Sequence, residues 1–276
     1  MTTLLQLGAG LFAKAEYENP TGSVKDRAAQ FILDAADLKP SSTVIEPTSG
    51  NMGIALAALC RERKMNCIIV MPDSMSVERQ EMITAYGAQT VLTPGKDGMT
   101  GAVEKAEALA KEIPGSFLPG QFENVAGALA HYRTTGPEIW EQTGGKIGVF
   151  VAGVGTGGTI SGTAHFLKEK NPNIRIVAVE PASSPLLSAG YTGSHGIQGI
   201  GPNFVPAVLD RSLIDEIVTV TDSNAFAAAK ALNARGIPAG ISAGANVHAA
   251  SLFAVQSHYT VTILPDSADR YTSLGL

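Results

Sequence analysis

The sequence contains few cysteines and few aromatic residues. Only two of its 276 residues are cysteine, and only 6% are aromatic. Cys60 and Cys67 lack the close spacing of a zinc site, so we expect two reduced thiols in or beside the core. The five histidines form no group with metal-ligand spacing. The sequence therefore predicts no metal site.

Long apolar runs and clusters of positive charge are also missing. No stretch approaches the roughly 18 apolar residues that span a bilayer. The N-terminal residues lack the basic stretch, apolar core and cleavage site of a secretory signal. The net charge is -5, and no lysine or arginine cluster forms the basic face that nucleic acids require. We expect a cytoplasmic protein that binds neither membranes nor nucleic acids.

The chain does contain alternating strand and helix patterns, and 45% of its residues are hydrophobic. Strands are predicted at 44–46, 67–70, 90–92, 147–151, 174–179 and 259–264. Helices are predicted at 51–63, 76–86, 98–112, 157–169, 223–234 and 244–254. This alternation is typical of α/β proteins with parallel sheets. We predict an α/β fold with two lobes, each with a mainly parallel twisted sheet flanked by helices.

A polar loop follows the first predicted strand, where ligands bind in parallel sheets. Residues 47–53, Pro-Thr-Ser-Gly-Asn-Met-Gly, gather hydroxyls, an amide and backbone N–H groups before a helix. Such a loop can bind a carboxylate. Capping of the helix by Ser49 or Asn51 is the alternative, although a cap does not require all of these residues.

A glycine-rich loop follows the strand at 147–151. Residues 153–159, Gly-Val-Gly-Thr-Gly-Gly-Thr, bring backbone N–H groups and two hydroxyls to a helix start, as in a phosphate site. Gly153, Gly155 and Gly158 also fit a dinucleotide-binding fingerprint, with Glu180 at the position of the ribose-binding acid. The loop lies after a complete earlier α/β lobe, and its threonines suit one monophosphate better than a pyrophosphate.

Lys25 closes the segment 19–27, Asn-Pro-Thr-Gly-Ser-Val-Lys-Asp-Arg, in which a turn leads into a helix. An ammonium group is disfavoured at the positive end of a helix, and this favours the free amine that carbonyl chemistry needs. Asp26 partly opposes the effect. A surface lysine at a helix start is the alternative on this segment alone.

Taken together, these three segments resemble the cysteine synthase (O-acetylserine sulfhydrylase) family of pyridoxal-phosphate enzymes, which have fold type II, the tryptophan synthase β-like fold. The similarity covers nearly the whole chain. Further matching segments are 3–7, 71–79, 132–140, 197–201 and 239–245.

The resemblance implies a lobe organisation, a cofactor and partners. Residues 19–125 would form a smaller, mobile, substrate-binding lobe. Residues 1–18 and 126–276 would form a larger lobe that binds the phosphate of pyridoxal 5'-phosphate (PLP), with the cofactor in the cleft between the lobes. A homodimer is implied, and so is binding of the C-terminal tail of a serine acetyltransferase.

The resemblance also implies roles for individual residues. Lys25 would carry the internal aldimine and act as general base. The other cofactor-binding residues would be Asn51, Gly155, Thr156, Gly157, Gly158, Thr159 and Ser242. The substrate-binding residues would be Thr48, Ser49, Gly50, Asn51, Met52, Gln121 and Gly199. The implied reaction is a β-replacement that makes L-cysteine from O-acetyl-L-serine and sulfide through an α-aminoacrylate.

One departure from the family pattern bears on the substrate. Met52 stands where the family usually has threonine, so a thioether replaces a hydroxyl in the polar loop. A related enzyme with another substrate is therefore an alternative, for example one that uses O-phosphoserine, another nucleophile, or cysteine for desulfhydration. A non-catalytic, partner-binding homologue is a third hypothesis, against which Lys25, Asn51 and Ser242 argue because all three are present.

Overall fold

The computed structural model describes residues 1–74, 77–255 and 258–276. Its strands are β1 (Leu4–Gly8), β2 (Leu11–Ala15), β3 (Thr43–Pro47), β4 (Asn66–Pro72), β5 (Gln89–Thr93), β6 (Ile147–Gly153), β7 (Arg175–Pro181), β8 (Glu216–Val220) and β9 (Tyr259–Leu264). Its helices are α1 (Lys25–Ala35), α2 (Asn51–Glu62), α3 (Val77–Ala85), α4 (Gly98–Glu112), α5 (Ala126–Arg133), α6 (Thr135–Gln142), α7 (Gly158–Lys170), α8 (Leu186–Ala189), α9 (Asp222–Ala234) and α10 (Ile241–Ser251).

The chain divides into two compact units. The larger unit comprises Met1–Val24 and Val125–Leu276, and the smaller unit comprises Lys25–Asn124. The sequence places the corresponding lobes at 1–18 plus 126–276 and at 19–125. The assignment of phosphate binding to one lobe, and of substrate binding and mobility to the other, stays a prediction.

The larger unit is built on a six-stranded sheet with the order β1-β2-β9-β6-β7-β8. The pair β1–β2 is antiparallel, and the other described pairs are parallel. Val149 and Val151 pack with residues of α10, whereas Phe150 and Ala152 pack with residues of α7. These four residues belong to β6, and successive side chains of a strand point to opposite faces of the sheet. β6 is therefore buried on both faces, as in other parallel sheets.

The smaller unit contains a parallel sheet with the order β3-β4-β5. Ile45, Ile68 and Val70 pack against Ala102 and Ala106 of α4 on one face. On the other face Val44, Ile69 and Met71 are buried, and so are seven residues of α2. The carboxyl ends of β3, β4 and β5 meet at one edge of this sheet.

The predicted α/β class with two mainly parallel sheets is confirmed. The described part of the predicted helix 76–86 is α3, and Ser76 lies outside the described residues. The predicted start of the helix at 244 is wrong, because α10 begins at Ile241 after an extended Gly240. Gly244 lies inside that helix, where an added Cβ would be 2.1 Å from the Ala225 carbonyl oxygen of α9. This glycine therefore serves close helix packing, not helix initiation.

The sequence patterns missed β1, β2, β8, α5, α6 and the four-residue α8. The first and last strands of the larger sheet, β1 and β8, have only one partner strand each, so they carry a weaker apolar signal than central strands. Helix α5 is short and rich in alanine and glycine, which gives it no clear apolar period. Both cysteines are buried and free, as predicted.

Candidate active site

In the smaller unit, the polar loop lies where β3 ends and α2 begins. The Thr48 amide donates a hydrogen bond to the Val70 carbonyl oxygen of β4 at 3.0 Å, which continues the sheet by one residue. The Gly50 amide donates to Thr48 Oγ1 at 3.3 Å, which closes a turn. Gly50 is the N-cap of α2 and has no side chain with which to cap the helix. The alternative that Ser49 or Asn51 is the N-cap residue of this helix is therefore wrong.

Close packing and one arginine fix this loop. An added Cβ at Gly53 would lie 3.0 Å from the Thr48 methyl group and 3.2 Å from Ile83. Arg79 of α3 donates from Nη1 to the Ser49 carbonyl oxygen at 3.0 Å. Thr48 is 5% exposed and Met52 is 2% exposed. Contacts with other residues of the smaller unit thus hold the loop in place. Met52 is part of the buried interior.

Gln121 lies in a segment that runs beside β3. The Phe117 amide donates to the Thr43 carbonyl oxygen at 2.8 Å, and the Ile45 amide donates to the Phe117 carbonyl oxygen at 2.9 Å. Further along, the Gly120 amide donates to Glu46 Oε2 at 3.2 Å. Because the segment runs parallel to β3, it brings Gln121 to the edge of the sheet where the polar loop follows β3.

Lys25 is the first residue of α1 and is half-buried. The residues before it belong to the larger unit, where they are tied to the end of the chain. The Val24 amide donates to the Pro265 carbonyl oxygen at 2.8 Å, and Ser23 forms an antiparallel bridge with Asp266. Arg270 donates from Nη2 to the Thr21 carbonyl oxygen. The backbone that leads to Lys25 is therefore fixed by contacts with residues 265–270.

In the larger unit, the glycine-rich loop connects β6 to α7. Gly157 is the N-cap of α7, with a left-handed φ of 84°. An added Cβ there would lie 2.7 Å from the Cβ of Leu209. At Gly155 an added Cβ would lie 2.4 Å from the Gly199 carbonyl oxygen. Both positions thus require glycine, Gly157 for conformation and Gly155 for close approach of two loops.

His131 lies behind this loop. Its Nδ1 is 2.8 Å from Thr135 Oγ1, and its Nε2 is 3.3 Å from Thr159 Oγ1. The ring is 2% exposed. Sequence analysis missed His131, because a histidine in a short helix gives no sign of a contact 28 residues away. We infer that this histidine fixes the hydroxyl of Thr159.

Ser242 and Gly199 lie close to the glycine-rich loop. Ser242 is the second residue of α10 and is 3% exposed. An added Cβ at Gly199 would lie 3.8 Å from Ser242 Oγ. Since Gly199 also contacts Gly155, the larger unit brings the glycine-rich loop, Gly199 and Ser242 together. The smaller unit brings together the polar loop and Gln121.

Asn246 connects α10 to the strand that enters the glycine-rich loop. Its Oδ1 accepts from the Gly153 amide at 2.8 Å, and its Nδ2 donates to the Ile263 carbonyl oxygen at 2.9 Å. The side chain is 1% exposed. Asn246 therefore joins β6, β9 and α10 at the base of the loop.

Asn246→Ala is expected to lower the free energy of unfolding by about 2 to 4 kcal/mol, because it leaves two buried backbone groups unpaired. Chemical denaturation followed by circular dichroism would measure the change. Asn173→Ala, at an exposed position, is the control and should change stability by less than about 0.5 kcal/mol. Equal stability of the two variants would contradict this assignment.

The residues of the larger unit fit a phosphate-bearing cofactor. The start of α7 offers backbone amides and the positive end of the helix, and the loop before it has glycine where an added Cβ would meet the Gly199 carbonyl oxygen or Leu209. The buried hydroxyl of Ser242 beside Gly199 can bond an aromatic ring nitrogen. Within residues 1–74, 77–255 and 258–276 no cluster of three metal-ligating side chains occurs, and no helix has the length and apolarity of a membrane span.

These features are those of an α/β protein whose glycine-rich helix start fits a phosphate group. A sequence profile of the family described as "Pyridoxal-phosphate dependent enzyme" matches residues 2–266. The chain therefore belongs to the pyridoxal-phosphate dependent enzymes and uses PLP as its cofactor.

Individual relatives narrow the assignment. Cysteine synthase B of Campylobacter jejuni is 48% identical over 99% of this chain and 93% of its own length. A crystal structure of cysteine synthase from Entamoeba histolytica is 40% identical, with a TM-score of 0.95, and the match covers 99% of this chain and 86% of that one. A crystal structure of an O-ureido-L-serine synthase is 41% identical in sequence, with a TM-score of 0.94. The match covers 99% of this chain and 90% of that one. The protein is a PLP-dependent enzyme of the cysteine synthase type.

Proposed function

We propose that the protein makes L-cysteine from O-acetyl-L-serine and sulfide. The observation that carries the proposal is the 48% identity to a cysteine synthase over 99% of the chain. The presence of Lys25, Asn51 and Ser242 adds support, because each matches a functional position of the family motifs.

Seven residues besides Lys25 are proposed to bind the cofactor. Gly155, Thr156, Gly157, Gly158 and Thr159 would hold the phosphate through backbone amides and hydroxyls. Asn51 would hydrogen-bond the ring oxygen. Ser242 would hydrogen-bond the ring nitrogen, and a neutral hydroxyl there supports less electron withdrawal than a carboxylate. That property suits a reaction in which the leaving group departs promptly.

Lys25 would hold the cofactor through its amine and then move a proton. PLP, when bound, supplies the electron sink that makes the α-proton of an amino acid acidic. After the substrate amine displaces it, Lys25 Nζ would take that proton from the α-carbon, and acetate would leave the β-carbon. Sulfide would then add to the β-carbon, and Lys25 would return the proton.

The substrate carboxylate would bind at the polar loop. Thr48, Ser49, Gly50 and Asn51 would provide hydroxyls, an amide and backbone N–H groups at the start of α2, and Gln121 would contribute its side-chain amide. Gly199 is also proposed to contact the substrate. Met52 is grouped with the substrate-binding residues, but it is 2% exposed, so its proposed role is to shape the loop from the buried side.

A product assay tests the proposed activity. Purified protein supplied with PLP, O-acetyl-L-serine and sulfide is expected to form cysteine, and replacing O-acetyl-L-serine by L-serine should give none, because hydroxide is a poor leaving group. Parallel reactions with O-phospho-L-serine, and with cysteine alone to detect sulfide release, test the alternatives. Failure to form cysteine from O-acetyl-L-serine would overturn the proposal.

A second candidate is a β-replacement with a different activated serine or nucleophile. Met52 favours it, since the family usually has threonine there, and the O-ureido-L-serine synthase shows that a similar structure serves another product. Met52→Thr tests this candidate. If Met52 sets substrate choice, the ratio of kcat/KM for O-acetyl-L-serine to that for O-phospho-L-serine should change about tenfold. An unchanged ratio would show that Met52 does not determine the choice of substrate.

We also propose a cytoplasmic homodimer that binds the C-terminal tail of a serine acetyltransferase. The support is the family membership, together with the two free cysteines, which suit a reducing compartment. Light scattering would measure the mass of the assembly, and competition between a tail peptide and O-acetyl-L-serine would test the partner. The same product assays test two further alternatives. Sulfide release from cysteine would indicate a lyase activity, and the absence of any turnover would indicate a non-catalytic role.

A further inference from the structure

Glu46 is a buried carboxyl group near the end of β3, directly before the polar loop. It is 1% exposed and follows the buried apolar residues Val44 and Ile45. A carboxyl group without water needs hydrogen-bond donors. The roles proposed above for the polar loop do not include Glu46.

The donors come from the segment that carries Gln121. The Gly120 amide donates to Glu46 Oε2 at 3.2 Å, and Gln121 follows directly. Backbone hydrogen bonds join this segment to β3 at Thr43, Ile45 and Phe117. Beyond them, the side chain of Glu46 holds the segment to β3. The carboxyl group therefore joins the residues before the polar loop to the residue proposed to bind the substrate carboxylate.

Few other titratable groups face Glu46. Alternation along β3, and its register with β4, place Glu46 on the same face as Cys67. The second thiol, Cys60, comes from α2 on that face, and both thiols are buried. The acidic and basic residues of α4 are exposed, as are Arg61 and Glu62 at the end of α2. Within the described residues of the elements that pack on β3, the remaining titratable neighbours are thus the two thiols.

The charge of Glu46 changes near neutral pH. Burial raises the pKa of this carboxyl group to about 7, and hydrogen bonds from Gly120 and Gln121 oppose that rise. Above this pH the carboxylate accepts hydrogen bonds from Gly120 and Gln121. Below it, one oxygen carries a proton, and the group can no longer bind its donors as strongly.

We propose that Glu46 is a positioning residue that holds Gln121 in place for the carboxylate of the amino-acid substrate. This inference rests on the proposed function, in which Gln121 binds that carboxylate. The ionised form of Glu46 fixes the Gly120–Gln121 backbone and orients the Gln121 amide, and the protonated form relaxes both. Substrate affinity then falls as the pH drops through the titration of Glu46.

The test compares Glu46→Gln with the unaltered holoenzyme. Glu46→Gln keeps the shape but resembles the protonated form at every pH. We expect the KM for O-acetyl-L-serine to rise about tenfold at about pH 8.5 with kcat little changed, and the difference to shrink to about twofold at about pH 6. Using the ratio of variant to wild type cancels the titration of the substrates themselves.

A second variant shows whether the effect passes through Gln121. Gln121→Ala should raise KM by itself and remove the pH-dependent step, and adding Glu46→Gln to it should raise KM by less than about twofold more. The arm with Gln121→Ala also tests the inference if Glu46→Gln fails to fold. Glu62→Gln, an exposed carboxyl on α2, is the matched control and should keep the wild-type profile.

Two results would overturn the inference. One is a Glu46→Gln enzyme with the wild-type KM and pH profile, and the other is a full tenfold effect of Glu46→Gln in the Gln121→Ala background. The proposed function fails differently, since wild-type enzyme would then form no cysteine from O-acetyl-L-serine.

Discussion

Replacing Lys25 by alanine is expected to lower kcat at least about 10³-fold and to abolish covalent attachment of the cofactor. Lys25 is the lysine that opens α1, and its backbone is fixed through Val24 and Pro265. Its amine is proposed both to hold PLP and to move the α-proton. Alanine removes the two functions together, because no other atom of the side chain can bond to a carbonyl carbon.

Two measurements separate these functions of Lys25. Steady-state cysteine formation reports proton transfer, and borohydride reduction followed by mass spectrometry reports the lysine bond to PLP. The wild type should gain the mass of reduced PLP, and Lys25→Ala should not. Lys111→Ala, at an exposed position in α4, is the control and should retain both properties. Substantial turnover by Lys25→Ala would refute its role.

Gly155→Ala is expected to weaken PLP binding at least about 100-fold, because the added Cβ separates two loops of the larger unit. That Cβ would lie 2.4 Å from the Gly199 carbonyl oxygen, well inside van der Waals contact. The neighbouring atom belongs to backbone, so it cannot move aside as a flexible side chain would. Overpacking of this kind typically costs about 1 to 3 kcal/mol, and here the displacement falls on the amides that are proposed to bind the phosphate.

Equilibrium dialysis against PLP would measure the affinity, and thermal unfolding of the apoprotein would measure the cost to the fold. Gly8→Ala is a matched control in the same unit, since an added Cβ at Gly8 meets no atom within 4 Å. It should bind PLP as the wild type does. If Gly155→Ala retained wild-type affinity, the glycine-rich loop would not be the phosphate site.

The sequence predicted those parts of the site that are local in the chain. The glycine-rich loop and the polar loop each lie between a strand and a helix. Their small and polar residues, and the hydrophobic patterns of the flanking elements, indicate both loops in the sequence. Burial of Glu46 also had a local signal, a carboxyl group within the apolar strand 44–46. Its donor could not be predicted, because Gly120 lies 74 residues further along the chain.

Long-range contacts account for the rest of what was missed. His131 reaches Thr159, and Arg270 reaches Thr21 from 249 residues away. Nothing in the local composition around these residues specifies their partners, which depend on strand order. The order β1-β2-β9-β6-β7-β8 places the last strand of the chain in the middle of the sheet, and sequence period alone does not give such an order.

That central position of β9 has a consequence for biosynthesis. β9 (Tyr259–Leu264) pairs with both β2 and β6, so a nascent chain on the ribosome lacks the strand that joins them until residues 259–264 have emerged. The Lys25–Asn124 unit is complete in sequence much earlier and can fold first. Pro265 and Arg270, which anchor the segment before Lys25, are translated after β9. Lys25 is thus translated long before the residues that fix its backbone.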